Sequence, residues 1–137
     1  NVSKPIYNPH LYFVGKILWL YDNNQSYPLF DDQHITLTYI PELMQTIVKL
    51  ITTQLRGIFH VASNDLVTPF KLAEYLISKA RTQNGHIERT SIDKFLENTP
   101  NRYPKFGGLK TELTQRRLGI KFKNWQEIVN SFIKYTK

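Results

Sequence analysis

Apolar residues recur at every third or fourth position along several stretches of this chain, and the apolar runs between them are no longer than about five residues. Helical stripes alternating with strand-length runs are the pattern of an α/β fold. The clearest unit is Ile58-Phe59-His60-Val61-Ala62, bounded by Gly57 and by Ser63-Asn64-Asp65. A nearly continuous apolar run of this length predicts a strand buried on both faces of a parallel sheet, with His60 as a satisfied core histidine. Thr68-Pro69 then opens a helix, the threonine as N-cap and the proline at the first position. Phe70, Ala73, Leu76, Ile77 and Ala80 form its stripe, and Asn84-Gly85 is expected to stop it.

The other elements follow the same logic. Leu11, Val14, Ile17, Leu18 and Tyr21 predict a helix from Pro9 to about Asp22. Tyr27 to Phe30 is a short strand leading into the polar loop Asp31-Asp32-Gln33-His34. Leu43, Met44, Ile47, Val48, Leu50 and Ile51 predict a second helix with Pro41 near its first turn. His86 to Thr90 is a strand candidate, Ser91 caps a brief turn through Phe95, and Asn98 to Gly108 reads as an ordered loop. Leu109, Leu113 and Leu118 mark a short helix ended by Gly119. Asn124 and Glu127 have capping-box spacing ahead of a last stripe of Trp125, Ile128, Val129, Phe132 and Ile133. Residues 1–137 read as a single domain.

Composition narrows the function. The 137 residues are 41% hydrophobic, which excludes a disordered chain, and contain no cysteine, which excludes disulfides, thiolate nucleophiles and Cys-type zinc sites while leaving the redox compartment open. No apolar run has the length of a membrane-spanning helix. The start Asn1-Val2-Ser3-Lys4, without Met or a signal-like core, suggests a fragment of a longer chain. The net charge of +7 is uneven: residues 1–78 hold 5 basic and 6 acidic side chains, residues 79–137 hold 13 and 5. The excess in the second part suits phosphates or is a solvated basic face.

Several motifs fail on physical grounds. The six glycines match neither a dinucleotide fingerprint nor a Walker loop. Tyr12 with Lys16 and Tyr75 with Lys79 have Tyr-x-x-x-Lys spacing, but both pairs fit ordinary packing of a ring beside a lysine stem one helical turn on. His10, His34, His60 and His86 have no spacing that converges on a metal, and none is a strong ligand candidate, His34 in a polar loop after a strand being the one whose place leaves ligand contact open. Asp31 and Asp32 point to opposite faces of an extended segment, so they fix a loop rather than share a proton.

Four segments in order carry a family resemblance. Tyr12-Phe13-Val14-Gly15-Lys16-Ile17-Leu18, Phe30-Asp31-Asp32-Gln33-His34-Ile35-Thr36-Leu37-Thr38-Tyr39 and Gly57-Ile58-Phe59-His60-Val61-Ala62 are the first three. The fourth runs from Arg102-Tyr103-Pro104 through Leu109-Lys110-Thr111 and Leu118-Gly119-Ile120 to Trp125-Gln126-Glu127. Together they resemble the C-terminal, substrate-binding part of dTDP-4-dehydrorhamnose reductases, members of the extended short-chain dehydrogenase/reductases that act on nucleotide sugars. Leu37, Glu42, Tyr12 and Tyr103 depart from the family pattern and leave open which nucleotide sugar is bound.

The resemblance implies a mostly helical C-terminal part of an α/β fold, with the Rossmann nucleotide-binding part largely missing. It implies a cytoplasmic parent enzyme, an NAD(P)H-dependent reductase or epimerase of deoxysugar biosynthesis such as the dTDP-rhamnose route. The catalytic tyrosine and lysine and most of the NAD(P)H site would lie upstream, leaving this portion without catalytic residues, cofactor or metal and inactive alone. Expected partners are a nucleotide-diphosphate sugar and the chain's own N-terminal Rossmann domain, with a homodimer permitted and neither membrane nor nucleic acid expected. Arg102 matches the family's loop arginine, whose planar fork suits a diphosphate or pairs with a carboxylate. Gln33 and Thr38 match the polar loop at the strand's end, as pocket wall or loop support, with support favoured for Thr38. Tyr103 stacks on a base or packs on the pocket wall, and Asp32 ties the loop together. Two rivals stand beside this reading: a noncatalytic, regulatory member of the same fold, and a basic nucleic-acid-binding module, which the charge and 18 aromatics permit without supplying a motif.

Overall fold

The computed structural model describes residues 13–82, 86–97 and 103–135. Among the described residues six helices and two short strands follow in the order α1 (Phe13–Asp22), β1 (Leu29–Phe30), α2 (Ile40–Thr53), α3 (Pro69–Ala80), β2 (Arg89–Thr90), α4 (Ile92–Leu96), α5 (Glu112–Leu118) and α6 (Trp125–Tyr135). The strands pair in parallel, Leu29 opposite Arg89 and Phe30 opposite Thr90. The fold is thus α/β, as the periodicity predicts, and mostly helical, as the resemblance implies.

Helix α3 lies at the centre. Thr68 caps it by accepting from the Lys71 N–H at 3.2 Å, and Pro69 fills the first turn where its missing N–H costs nothing. Leu72, Ala73 and Leu76 are fully buried in a core shared with Val14, Ile17 and Leu18 of α1, Leu29 of β1 and Ile128, Val129 and Ile133 of α6. Parallel β1 and β2 thus lie on a helical layer, as parallel strands require. The helix ends at Ala80, before Asn84-Gly85, which lies outside the described residues. Its last turn is fixed by Arg81, whose Nε and Nη2 donate to the two carboxylate oxygens of Asp22 at 2.7 and 2.5 Å, locking the C-terminal ends of α1 and α3 together.

Helix α6 starts as its capping box requires. The Glu127 N–H donates to the Asn124 side-chain oxygen, and the Asn124 N–H to the Glu127 carboxylate, both at 2.8 Å. Asp65 adds a long-range cap by accepting from the Trp125 N–H at 2.9 Å. Gly119 ends α5 with φ +59°, the left-handed conformation expected of a C′ glycine. Tyr75 and Lys79 are helix neighbours, the ammonium 5.6 Å from the ring centre. Tyr12, the partner of the other Tyr-x-x-x-Lys pair, lies outside the described residues.

The segment 58–62 departs from expectation. It forms no strand, and Ile58 is 81% exposed. A strand buried on both faces needs a neighbour on at least one edge, and among the described residues none lies alongside it. The segment is instead held by side chains. The Arg117 guanidinium lies 4.6 Å from the Phe59 ring centre, and Thr38 donates to the Val61 carbonyl at 3.2 Å. His60 is exposed rather than a core residue, its Nδ1 3.2 Å from the Lys110 carbonyl.

Helix α2 is inverted relative to a surface helix. Thr46 is its buried residue, while Ile40, Met44, Ile47, Val48 and Ile51 stand exposed. At 100° per residue these five fall on one face, and Glu42, Gln45, Thr46 and Lys49 on the opposite one. The apolar stripe read from the sequence exists, but it faces away from the rest of this chain.

Removing buried bulk at the centre gives the first prediction. Leu76→Ala should lower stability by about 2–5 kcal/mol in urea unfolding, whereas truncation of exposed Met44 should cost less than about 1 kcal/mol.

Candidate functional site

The loop after β1 and the strap from Tyr103 to Leu109 are laced together. His34 N–H donates to the Lys105 carbonyl at 2.7 Å, Gly107 N–H to the His34 carbonyl at 2.9 Å, and Leu109 N–H to the Thr36 hydroxyl at 3.2 Å. Gln33, only 9% exposed, donates from Nε2 to the Pro104 carbonyl at 3.1 Å. Gly108 packs against the Leu66 side chain, which a Cβ there would displace.

Asp32 anchors this assembly. Its carboxylate accepts from the Ser91 hydroxyl at 2.6 Å and the Ile92 N–H at 2.7 Å, tying the loop to the first turn of α4. Lys105 Nζ lies 3.6 Å from Asp32 and bonds Asp93. Burial pushes the Asp32 carboxyl up, but the two hydrogen bonds and the lysine charge outweigh it and hold the group below its ordinary 3.8. Asp32 thus links the loop after β1 to α4 and to Lys105 of the strap.

In front of this frame lies an apolar groove of about 630 Å³. Five aromatic rings line it, Phe13 from α1, Tyr27 and Phe30 around β1, Phe95 from α4 and Tyr103 from the strap, with Gln33 in its wall. Phe95 meets Phe30 and Tyr103 edge to face, at centroid distances of 5.4 and 6.1 Å. Such a wall suits the flat face of a base or the apolar face of a sugar, and Tyr103, 56% exposed, stands at its rim. A larger depression of about 800 Å³ beside α3, between Glu74 and His86 to Arg89, contains none of the expected substrate-binding residues.

The expected site residues are thus partly brought together. Gln33 and Tyr103 share the groove, and Asp32 supports it from behind. Thr38 lies away from it, its hydroxyl donating to the Val61 carbonyl. Arg102 lies outside the described residues. His34 does not line the groove; its ring stacks on Phe106 at 5.5 Å, and its buried Nδ1 has no hydrogen-bond partner among the described residues. Sequence reasoning missed Phe13, Phe30, Phe95 and Lys105 as site residues, since Phe30 meets Phe95 and Lys105 meets Asp32 across long stretches of chain. Among the described residues no group of three or more His, Asp or Glu side chains can hold a metal, and no helix is long and apolar enough to cross a membrane.

The model of the RmlD substrate binding domain matches residues 8–137. The chain belongs to this family. Three solved dTDP-4-dehydrorhamnose reductases share its fold. The one from Bacillus anthracis, solved in complex with NADP, is 24% identical with a TM-score of 0.79, covering 95% of this RmlD-type chain and 44% of its own. Those from Yersinia enterocolitica and Clostridium acetobutylicum are each 19% identical, with TM-scores of 0.77 and 0.78. They cover 92% and 94% of this chain, and 44% and 45% of their own. The chain therefore spans less than half the length of these reductases. No curated protein is similar enough to match.

The Asp32 anchor makes stability pH-dependent with a definite sign. A carboxyl depressed on folding contributes stability that is complete above its unfolded value, near 3.8, and is lost as pH falls through the lower folded value. Thermal melts of Asp32→Asn should show a lower melting temperature at neutral pH, by the equivalent of about 1–2 kcal/mol, and a shallower decline below about pH 4 than the parent.

Proposed function

We propose that this chain is the substrate-binding portion of an NAD(P)-dependent nucleotide-sugar oxidoreductase of the dTDP-4-dehydrorhamnose reductase type. The observation that carries the reading is the aromatic groove at the end of β1, walled by Gln33 and Tyr103 and held by Asp32, in a chain of this family. Ligands of open α/β folds sit at the carboxyl ends of strands, where this groove lies. Rings around it exclude water and hold a base or sugar by stacking, while Gln33 keeps its side-chain carbonyl available to accept from a ligand hydroxyl. Arg102, next to Tyr103, is assigned to the diphosphate.

The glycines among the described residues do not fit NADP. Close approach to a dinucleotide needs glycines that open a helix after a strand. Here Gly57 sits against Arg117, Gly107 against Pro104 and Gly108 against Leu66, while Gly119 ends a helix. The cofactor and the hydride chemistry are therefore assigned to a nucleotide-binding part beyond this chain, and substrate grip to this one.

The same reading assigns that part to the exposed face of α2. A helix with five apolar side chains facing outward, followed by an unpaired apolar run, is half of a strand–helix–strand unit. A parallel sheet supplied by the nucleotide-binding part would cover the stripe and pair with residues 58–61.

Two experiments test these assignments. Titrating the chain with a thymidine diphosphate sugar should give saturable binding that Tyr103→Ala weakens about tenfold, the equivalent of one lost stacking contact. Unaltered binding in the variant would remove the groove from the substrate site. Ile51, 71% exposed, should tolerate Asp without loss of this chain's own stability, yet Ile51→Asp should abolish association with the nucleotide-binding part in gel filtration. Retained association would show that α2 is not the docking face.

A further inference from the structure

The polar face of α2 looks onto a second groove, of about 650 Å³, closed by residues 120–123 and by α6. Four lysines surround it: Lys49 from α2, Lys121 and Lys123 from the connection between α5 and α6, and Lys134 from the last turn of α6. The groove shares no residue with the aromatic one. None of the four lysines has a carboxylate within salt-bridge distance among the described residues. Glu42 is the acidic residue in its wall, and its carboxylate accepts from the Lys123 backbone N–H at 3.0 Å.

Ammonium groups gathered around one concavity repel each other, and that repulsion is relieved when an anion of several charges enters. Two of the four are held in place. Lys49 is half-buried, and Lys123 lies 5.8 Å from the ring centre of Tyr39, which forms part of the wall. Lys121 and Lys134 are exposed and free to close on a ligand. Point-like ammonium groups suit phosphate oxygens, and the volume is that of a small-molecule site rather than a flat nucleic-acid track. The groove also faces away from the apolar stripe of α2, so covering that stripe leaves it open.

We propose that this groove is a binding site for a short polyphosphate, the di- or triphosphate end of a small molecule, separate from the substrate groove. A phosphate backbone offers the same chemistry, and the two sources separate in the test. Inorganic tripolyphosphate is titrated into the full chain, with binding followed by calorimetry and by amide chemical shifts. Saturable binding is expected, with shifts centred on Lys49, residues 121–123 and Lys134. Lys121→Gln/Lys134→Gln, at two exposed positions, should melt like the parent and bind about tenfold or more weakly. Tyr103→Ala should bind tripolyphosphate like the parent, which keeps this result independent of the substrate reading. Equal binding by the double variant overturns the proposal. So does an effect reproduced by sodium chloride at equal ionic strength, or binding of a single-stranded oligonucleotide without any of tripolyphosphate.

Discussion

The burial of α3 between α1 and α6 is the constraint on which the remaining geometry depends. Leu72, Ala73 and Leu76 lose all contact with water there, and each large side chain contributes roughly 1.5–3 kcal/mol by leaving it. With α3 fixed, its first turn carries Pro69 to the wall of the aromatic groove, and its last turn meets Asp22 through Arg81. Leu29 packs into the same core, so β1 is placed by apolar burial rather than by its two ladder positions with β2. The groove is thus an edge of the core where ring faces are left accessible.

The strap from Tyr103 is held differently, by polar bonds to the loop after β1. Gln33, His34 and Thr36 each engage it, and Asp32 fixes the same loop to α4. A small apolar core and a laced polar frame together position Tyr103 opposite Phe30 and Phe95. That division suits a binding portion: the core sets where the groove lies, and the frame sets the rim that a ligand would meet. Helix α2 shows the opposite arrangement, its apolar side turned outward and its polar side inward, and that outward side is the face proposed above to dock a nucleotide-binding part.

Local signals in the sequence were sufficient for most elements. Thr68-Pro69, Ser91, Gly119 and the Asn124–Glu127 box each act within four residues, and each forms the cap that its spacing requires. Signals that need a distant partner were misread or missed. Ile58 to Ala62 has the composition of a central strand, yet composition cannot supply the strand beside it. The Ser63-Asn64-Asp65 turn looked like punctuation, whereas Ser63 bonds Leu37 and Asn64 and Asp65 bond Phe122 and Trp125 across the chain. Gln33 and Tyr103 are expected from the family resemblance and line the groove, but the aromatic rings around them have no periodicity that marks it. The direction of α2's stripe was equally illegible, because periodicity shows that a face exists and not what covers it.

The central claim is that this chain grips a nucleotide sugar while a separate nucleotide-binding part covers α2. A crystal structure of this chain with the proposed nucleotide-binding part and a thymidine diphosphate sugar tests it most directly. The account predicts the sugar nucleotide against Phe30, Gln33, Phe95 and Tyr103, with Ile47, Val48 and Ile51 buried by a parallel sheet that pairs with residues 58–61. A ligand seated elsewhere, with the aromatic groove filled by protein side chains, would contradict it.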